Sequence, residues 1–476
     1  NFAESPLDPK ILWVGTDDGN VQLTIDGGLN FTELSKNITG VKDGTFVGDI
    51  VASAASKGTA YVSFDAHRDG DFKPYLFKTT DFGKTWKAIV NGLPGDDASI
   101  RGLAEFPGKP SVLFAGTERA LFVTHDGGEH WNKLTANLPT TQYADIVIHP
   151  KTKDLILATH GRGIWILDDA TPIADWSPAV AAEKAHLYNI PRATLMLYWE
   201  DISNMGQYFY TSENPAEGAA ITYSLGAAAK SVKLTVTNST GRVIRTLTGP
   251  TSAGVIHRVN WDLRFTPPAG GRGGGPSAGS GQAGEGGGGE SPSTGSGQAA
   301  GGARAVQLPI PSHEIGTRGP QVGPGTYKVA IEVDGVAAGS KTFDVRVDPA
   351  AGLTPLQSKA REAFVLEVMD LQAKVDALAK DIAAKRATAT GDAAAKLQAL
   401  ETRLGAGGGA GRGGGRGGAA SQVPPVRNRL STLLGTYTMS GAQTGSLKPP
   451  TGDVLAVLAQ VKKDIAAIEL AFKTGK

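Results

Sequence analysis

The sequence predicts a mainly β chain: a partial β-propeller, then a β-sandwich, then a C-terminal α-helical hairpin or bundle. Three observations predict it. An octad with Thr, Asp, Gly and an aromatic at fixed positions occurs three times before residue 132. Apolar residues then alternate with period two between residues 219 and 350, and after residue 354 they recur at spacings of three and four.

The octads read Thr-x-Asp-x-Gly-x-x-aromatic: Thr24, Asp26, Gly28 and Phe31; Thr79, Asp81, Gly83 and Trp86; Thr124, Asp126, Gly128 and Trp131. Their first residues lie 55 and 45 positions apart, close to the period of about 40–50 residues of a four-stranded propeller blade. A strand-like run precedes each: Leu12–Thr16, Tyr61–Phe64 and Leu113–Thr117. A fourth run, Leu155–Thr159 followed by Gly163–Asp169, has the strands without the octad. The octad is a turn-making unit. A short Thr or Asp side chain bonds backbone amides of its own turn, Gly supplies positive φ, and the aromatic packs between sheets.

These residues match the Asp box of bacterial neuraminidase repeat (BNR) propellers. With Thr159-His160-Gly161-Arg162-Gly163-Ile164-Trp165, the chain resembles the sortilin-like BNR-repeat proteins of secreted bacterial type. The resemblance covers residues 1 to about 170, and the order of propeller then immunoglobulin-like module extends it to about 350. It implies that residues 1–170 are the C-terminal blades of a larger propeller, beginning mid-blade, in an extracellular, periplasmic or cell-surface protein. The chain starts at Asn1, without Met or a secretory signal pattern; the expectation is a fragment.

Residues 171–218 carry Trp176, Tyr188, Tyr198, Trp199, Tyr208 and Tyr210 without a clear period, and read as a connector packed on the propeller. Residues 219–350 alternate through Ile221–Leu225, Val232–Val236, Val243–Arg245, Val259–Leu263, Gly325–Val333 and Phe343–Val347, with Asp334-Gly335 as a hairpin turn. About seven strands make a sandwich, and its runs look like the immunoglobulin-like module of flagellar-hook-capping and cell-surface proteins. A Gly/Ser-rich insert, 268–304, interrupts it and is expected to be disordered.

Residues 351–476 switch to helical period. Thr354-Pro355 is an N-cap and first-turn pair, and Phe364, Val368, Leu371, Val375, Leu378 and Ile382 form a seam. Leu397, Leu400 and Leu404 continue it, then Leu430, Leu433 and Tyr437, then Val454, Val457, Val461, Ile465, Ile468 and Phe472. A Gly/Arg-rich loop, 405–418, joins the helices. The same seam would allow self-association through residues 355–476.

With 47 Lys+Arg against 46 Asp+Glu among 476 residues the net charge is +1, which excludes nucleic-acid binding through bulk charge. The two arginines of the 405–418 tract are too few to reverse this. Cysteine is absent, which removes disulfides, thiolate metal sites and cysteine nucleophiles and leaves the redox compartment open. No apolar run is long enough to span a bilayer. The eight histidines show no metal-ligand spacing, and no nucleophile elbow, phosphate loop or cofactor motif is present. No cofactor and no metal are expected.

In a four-stranded antiparallel blade, octads between strands three and four leave the two-to-three connections on the opposite face. Those are Asp17-Asp18-Gly19, Asp65 to Tyr75, Glu118-Arg119 and His160-Gly161-Arg162. Binding sites gather on such loops, so Asp65, His67, Arg68, Asp69, Arg119, His160 and Arg162 are the candidate ligand-binding residues. Asp69-Gly70-Asp71 with His67 falls short of a complete calcium loop. Glycosidase chemistry needs two carboxylates at a set separation; Asp17 and Asp65 are the weak candidates, and a xyloglucanase-like enzyme would use two aspartates. A sialidase-like site needs an arginine cluster and a Tyr–Glu pair, and no such pair can be placed. The expected function is binding of a polysaccharide or protein ligand, with a glycoside hydrolase as the first alternative and an assembly scaffold built on the helices as the second.

Overall fold

Four antiparallel sheets, taken in chain order, build the first of two units, Asn1–Ala181, in a computed structural model. The structure describes residues 1–96, 98–196, 216–267, 319–405, 423–438 and 446–475. The first sheet is β1 (Phe2–Ser5), β2 (Asp8–Gly15), β3 (Val21–Thr24) and β4 (Thr32–Glu33). The second is β5 (Phe46–Ala52), β6 (Ala60–Asp65), β7 (Tyr75–Thr79) and β8 (Lys87–Ala88), and the third β9 (Ile100–Phe106), β10 (Lys109–Thr117), β11 (Leu121–Thr124) and β12 (Asn132–Lys133). The fourth has three strands, β13 (Tyr143–Ile148), β14 (Leu155–Thr159) and β15 (Ile164–Leu167), and is followed by α1 (Thr171–Asp175) and α2 (Pro178–Ala182). The first strands β1, β5, β9 and β13 lie side by side, so the sheets fan out as successive blades. Each gap between sheets is an apolar layer: Trp13, Leu23, Val62 and Phe64 in the first, Tyr61, Leu76, Leu113 and Trp131 in the second, and Phe106, Phe114, Ile146 and Leu157 in the third.

Thr24, Thr79 and Thr124 end the third strands of their sheets, and each opens the turn into the fourth strand. The Thr hydroxyl donates to the octad Asp (2.7, 2.9 and 2.7 Å) and accepts the amide of Gly28, Gly83 or Gly128 (3.0, 2.9 and 3.1 Å). The Asp then accepts the amide four residues on, at Asn30, Thr85 or His130. These bonds hold the carboxyls low, at about 2. Asn30 is the main cause for Asp26 and Thr85 for Asp81; at Asp126 burial pushes upward and is outweighed by Thr124 and His130. The glycines have φ of +95°, +75° and +100°, a region that penalises a Cβ. Trp86 packs edge-on against Trp13 of the preceding sheet at 6.1 Å, and Trp131 donates its indole N–H to Ile89 of the preceding sheet at 2.7 Å. Here the aromatic joins sheets, as the octad chemistry requires.

The second unit, Ala182–Lys476, starts with a two-sheet sandwich. Its strands are β16 (Ala185–Leu187), β17 (Ala193–Leu195), β18 (Ala219–Leu225), β19 (Val232–Asn238), β20 (Val243–Thr248), β21 (Ile256–Trp261), β22 (Gly325–Val333) and β23 (Val336–Val347). They form sheets of order β16-β18-β21 and β17-β23-β22-β19-β20, with β17 parallel to β23. Trp261 packs on Tyr327 and Phe343 between them. Four helices follow: α3 (Pro355–Arg386), α4 (Gly391–Leu404), α5 (Val426–Thr438) and α6 (Gly452–Thr474). Thr354 and Gln357 close a capping box on α3 with Pro355 in its first turn. Phe364, Val368, Val375, Leu378 and Ile382 are buried with Leu400, Leu404, Leu430, Leu433, Val461 and Ile465 in a layer continuous with the sandwich core. Within this unit the seam is filled by the chain's own helices, as a bundle rather than a stripe left open for a partner. Arg361, 2 % exposed, carries the helices onto the sandwich by donating to the carbonyls of Gln321 (3.0 Å), Val322 (3.2 Å) and Ser446 (2.7 Å).

The structure departs from the sequence reading at three places. The first sheet is complete, since Phe2–Ser5 pairs with β2, and does not begin mid-blade. Residues 171–218 are not one connector: α1 sends Ala174 into the third inter-sheet layer, whereas β16 and β17 join the sandwich. Three-residue strands are too short to show a period. On α6, Val457 is exposed and Leu458 takes the buried position, because adjacent apolar residues leave the helical phase ambiguous by one. Tyr198, Trp199, Tyr208, Tyr210, the 268–304 insert and nearly all of the 405–418 loop lie outside the described residues.

Candidate functional site

Connections from second to third strands leave each sheet at the end opposite its octad, because antiparallel strands turn at alternate ends. The face so formed carries Asp17 and Asp18 after β2, residues 66–74 after β6, Glu118 and Arg119 after β10, and His160 to Arg162 after β14.

Its centre is an ion-pair chain across the second and third sheets. Asp65, the last residue of β6, is 3 % exposed. It accepts from the Arg101 guanidinium on β9; the His67 ring Nδ1 lies 2.6 Å from its Oδ2, and the His67 amide donates to Oδ1 at 3.1 Å. Arg101 Nε donates in turn to Glu118 at 2.5 Å. Both Asp65 oxygens are therefore engaged, and so is Glu118. Sequence reasoning placed Asp65 on this face and missed Arg101, which sits in the strand Ile100-Arg101-Gly102-Leu103. A single arginine among apolar strand residues was the only available signal.

Around this cluster the exposed side chains include Arg68, Asp69, Phe72 and Arg119. The Arg68 guanidinium lies 5.4 Å from the Phe46 ring centre, and Phe72 is exposed three residues beyond Asp69. Asp69 pairs with Lys42 at 3.0 Å, whereas Asp71 accepts the Tyr75 hydroxyl at 2.7 Å; the two carboxylates turn to different partners. Arg119, exposed, borders a cleft of about 140 Å³ whose lining includes Lys133, Leu134, Thr140 and Tyr143. His160 and Arg162 are exposed on the fourth sheet, held by the His160 amide to Gln142 at 2.9 Å and by the Trp165 indole to the Arg162 carbonyl at 3.1 Å. Asp17 is exposed, and Asp18 is held below its usual range by the Thr16 hydroxyl.

Two further carboxylates lie on the first strands. β5 and β13 each bulge just before an aspartate, Asp49 and Asp145. Asp49 accepts the Ile50 amide at 2.8 Å and, across the sheet boundary, the Leu103 amide at 2.9 Å. Burial pushes its carboxyl up to about 7 against these two bonds, and the charge of Asp145 acts in the same direction. A folded value above that of an unfolded Asp, about 3.9, means that the fold takes up a proton. The stabilisation is complete below about pH 4 and is lost as pH rises through 7. Urea titrations of the full chain are expected to show unfolding free energy of the first unit falling between about pH 4 and 7, by on the order of 4 kcal/mol from this group. Asp49→Asn should flatten that slope; an unchanged slope assigns the dependence elsewhere.

No family model and no curated protein matches the chain. Among solved structures it is similar to a GH74 xyloglucanase from Xanthomonas campestris, at 19% identity over 39% of this chain and 30% of that one, TM-score 0.28. It is also similar to a GH74 enzyme from Niastella koreensis, at 15% identity over 55% and 38%, TM-score 0.29, and to YCF48 bound to D1 peptide, at 13% over 54% and 80%, TM-score 0.28. The chain thus spans well under half the length of either GH74 protein. The first unit is propeller-like, and the chain is mainly β with a helical C-terminal part.

Proposed function

We propose that the chain belongs to a secreted or cell-surface BNR-type (Asp-box) propeller protein that binds an acidic polysaccharide, or a protein ligand presenting acidic groups, on the two-to-three loop face. One observation carries this reading. At the centre of that face buried Asp65 is engaged by Arg101 and His67 and partly buried Glu118 by Arg101, while Arg68, His160, Arg162 and Phe72 are exposed on the two-to-three connections. Guanidinium groups match carboxylate and sulfate oxygens in paired hydrogen bonds, and an aromatic face stacks on sugar rings or apolar side chains. Asp17 and Asp65 make a poor hydrolytic pair, because Asp65 is buried and held by Arg101 and His67 whereas Asp17 is exposed.

Affinity electrophoresis of the full chain through polygalacturonate and through neutral xyloglucan tests this. Retardation is expected in the acidic gel, and Arg68→Ala with Arg162→Ala should weaken it by about tenfold, at roughly 1.4 kcal/mol per decade. Equal migration in both gels would refute the reading.

A glycoside hydrolase is the second reading, favoured by a different pair. Asp49, with its carboxyl near 7, and the exposed Asp145 on a nearby first strand have environments that differ in the way an acid and its partner carboxylate need. Release of reducing ends from xyloglucan, lost in Asp145→Asn, would establish it.

A further inference from the structure

On the two-to-three loop face the backbone and the side chain of one residue are both tied to a single buried carboxylate. The His67 amide donates to Asp65 Oδ1 at 3.1 Å, and the His67 ring Nδ1 lies 2.6 Å from Asp65 Oδ2. Asp65 also accepts from the Arg101 guanidinium, which is held in turn by Glu118. A carboxylate only accepts, so Nδ1 is the donor and carries its hydrogen whatever the charge of the ring. The proton that comes and goes is therefore the one on Nε2. That atom sits across Cε1 from Nδ1 and turns away from Asp65. No described residue bonds to it, and the side chain is 36 % exposed.

The connection that carries His67 is pinned along its length. The Asp69 and Asp71 amides donate to the Ala66 carbonyl at 2.9 and 3.2 Å, the Ala98 amide ahead of β9 donates to the Phe72 carbonyl at 2.9 Å, and Asp71 accepts the Tyr75 hydroxyl. The ring is thus held in one place beside the exposed Arg68 and Phe72. The charged groups around it are Asp65 on β6, Arg101 on β9, Glu118 after β10 and Asp49 on β5, with Arg68, Asp71 and the Asp69–Lys42 pair on or against its own connection.

We propose that His67 Nε2 is a ligand contact that makes this face read the charge of what it binds: an acceptor while the ring is neutral, and a cationic donor to a carboxylate or sulfate oxygen once it is protonated. Asp65, Arg101 and Glu118 are positioning residues that act through the ring. This rests on the acidic-ligand reading above and adds to it a named contact and a direction of pH dependence. Imidazole titrates between about pH 5 and 8, where a carboxylate ligand stays ionised, so a change of affinity in that window belongs to the protein.

Affinity electrophoresis of the full chain through polygalacturonate, read against a ligand-free gel at steps between about pH 5 and 8, is expected to show affinity falling about tenfold as pH rises, the worth of one charge-assisted hydrogen bond. His67→Gln, which keeps an amide donor for Asp65, should hold the weaker, high-pH affinity throughout. His149→Gln, exposed at the opposite end of the fourth sheet, should behave as the unmodified chain. Absence of retardation at every pH overturns this proposal together with the acidic-ligand reading. Retardation that is level across the series overturns the proposal alone. So does a pH dependence that survives His67→Gln, which assigns it to His160 or to Asp49, whose carboxyl lies near 7. Binding lost at every pH in His67→Gln makes the ring a structural strut and overturns it as well.

Discussion

Arg101→Ala is expected to destabilise the first unit by about 3–5 kcal/mol, the range seen when one partner of a buried ion pair is removed. Among the described residues, the guanidinium is the one group that ties Asp65 to Glu118 across the second and third sheets. Its loss leaves a carboxylate whose side chain is 1 % exposed with His67 as its remaining side-chain partner. Arg101→Lys should recover part of the loss, because it returns the charge without the planar fork that serves two carboxylates at once. Glu118→Ala should cost less, since Glu118 is partly solvated. Urea titrations of the full chain, read by hydrogen exchange in β6 and β9, measure all three. A loss under 1 kcal/mol for Arg101→Ala would show that the cluster is a surface feature with no part in joining the sheets.

Trp131→Ala is expected to cost a further class of about 3–5 kcal/mol, by opening a cavity between the second and third sheets and leaving the Ile89 carbonyl without its indole donor. The octad glycines sharpen this. Gly128→Ala combines strained backbone at φ +100° with a clash against Ile89, whereas Gly28→Ala meets strained backbone at φ +95° and open space. The backbone term alone is roughly 1–2 kcal/mol. Gly128→Ala should therefore destabilise clearly more than Gly28→Ala, although the two occupy one position of the repeat. Equal losses in thermal unfolding would mean that the octads act only within their own turns.

Local hydrogen bonding explains why the octads could be read from sequence. Thr79, Asp81, Gly83 and Thr85 bond to one another within seven positions, so their spacing encodes the turn and, through it, which end of the second sheet carries Asp65. The α3 cap was legible for the same reason, because Thr354 and Gln357 satisfy each other three residues apart. Long-range chemistry was not. Arg101 acquires its meaning from Asp65, 36 residues earlier, and Asp49 from the Leu103 amide, 54 residues later. Neither pairing has a period or a motif. β16 and β17 were missed because three residues cannot display alternation, and β17 takes its place by pairing with β23, 152 positions on at Thr194 and Arg346.

Native-state hydrogen exchange at the amides of Gly28, Gly83 and Gly128 tests most directly whether the octads are hydrogen-bonded staples of blade-like sheets. All three should be protected well beyond exposed loop amides, and Thr79→Val should abolish protection at Gly83 while sparing the other two. Exchange of the three glycines at loop rates in the unmodified chain would contradict that assignment.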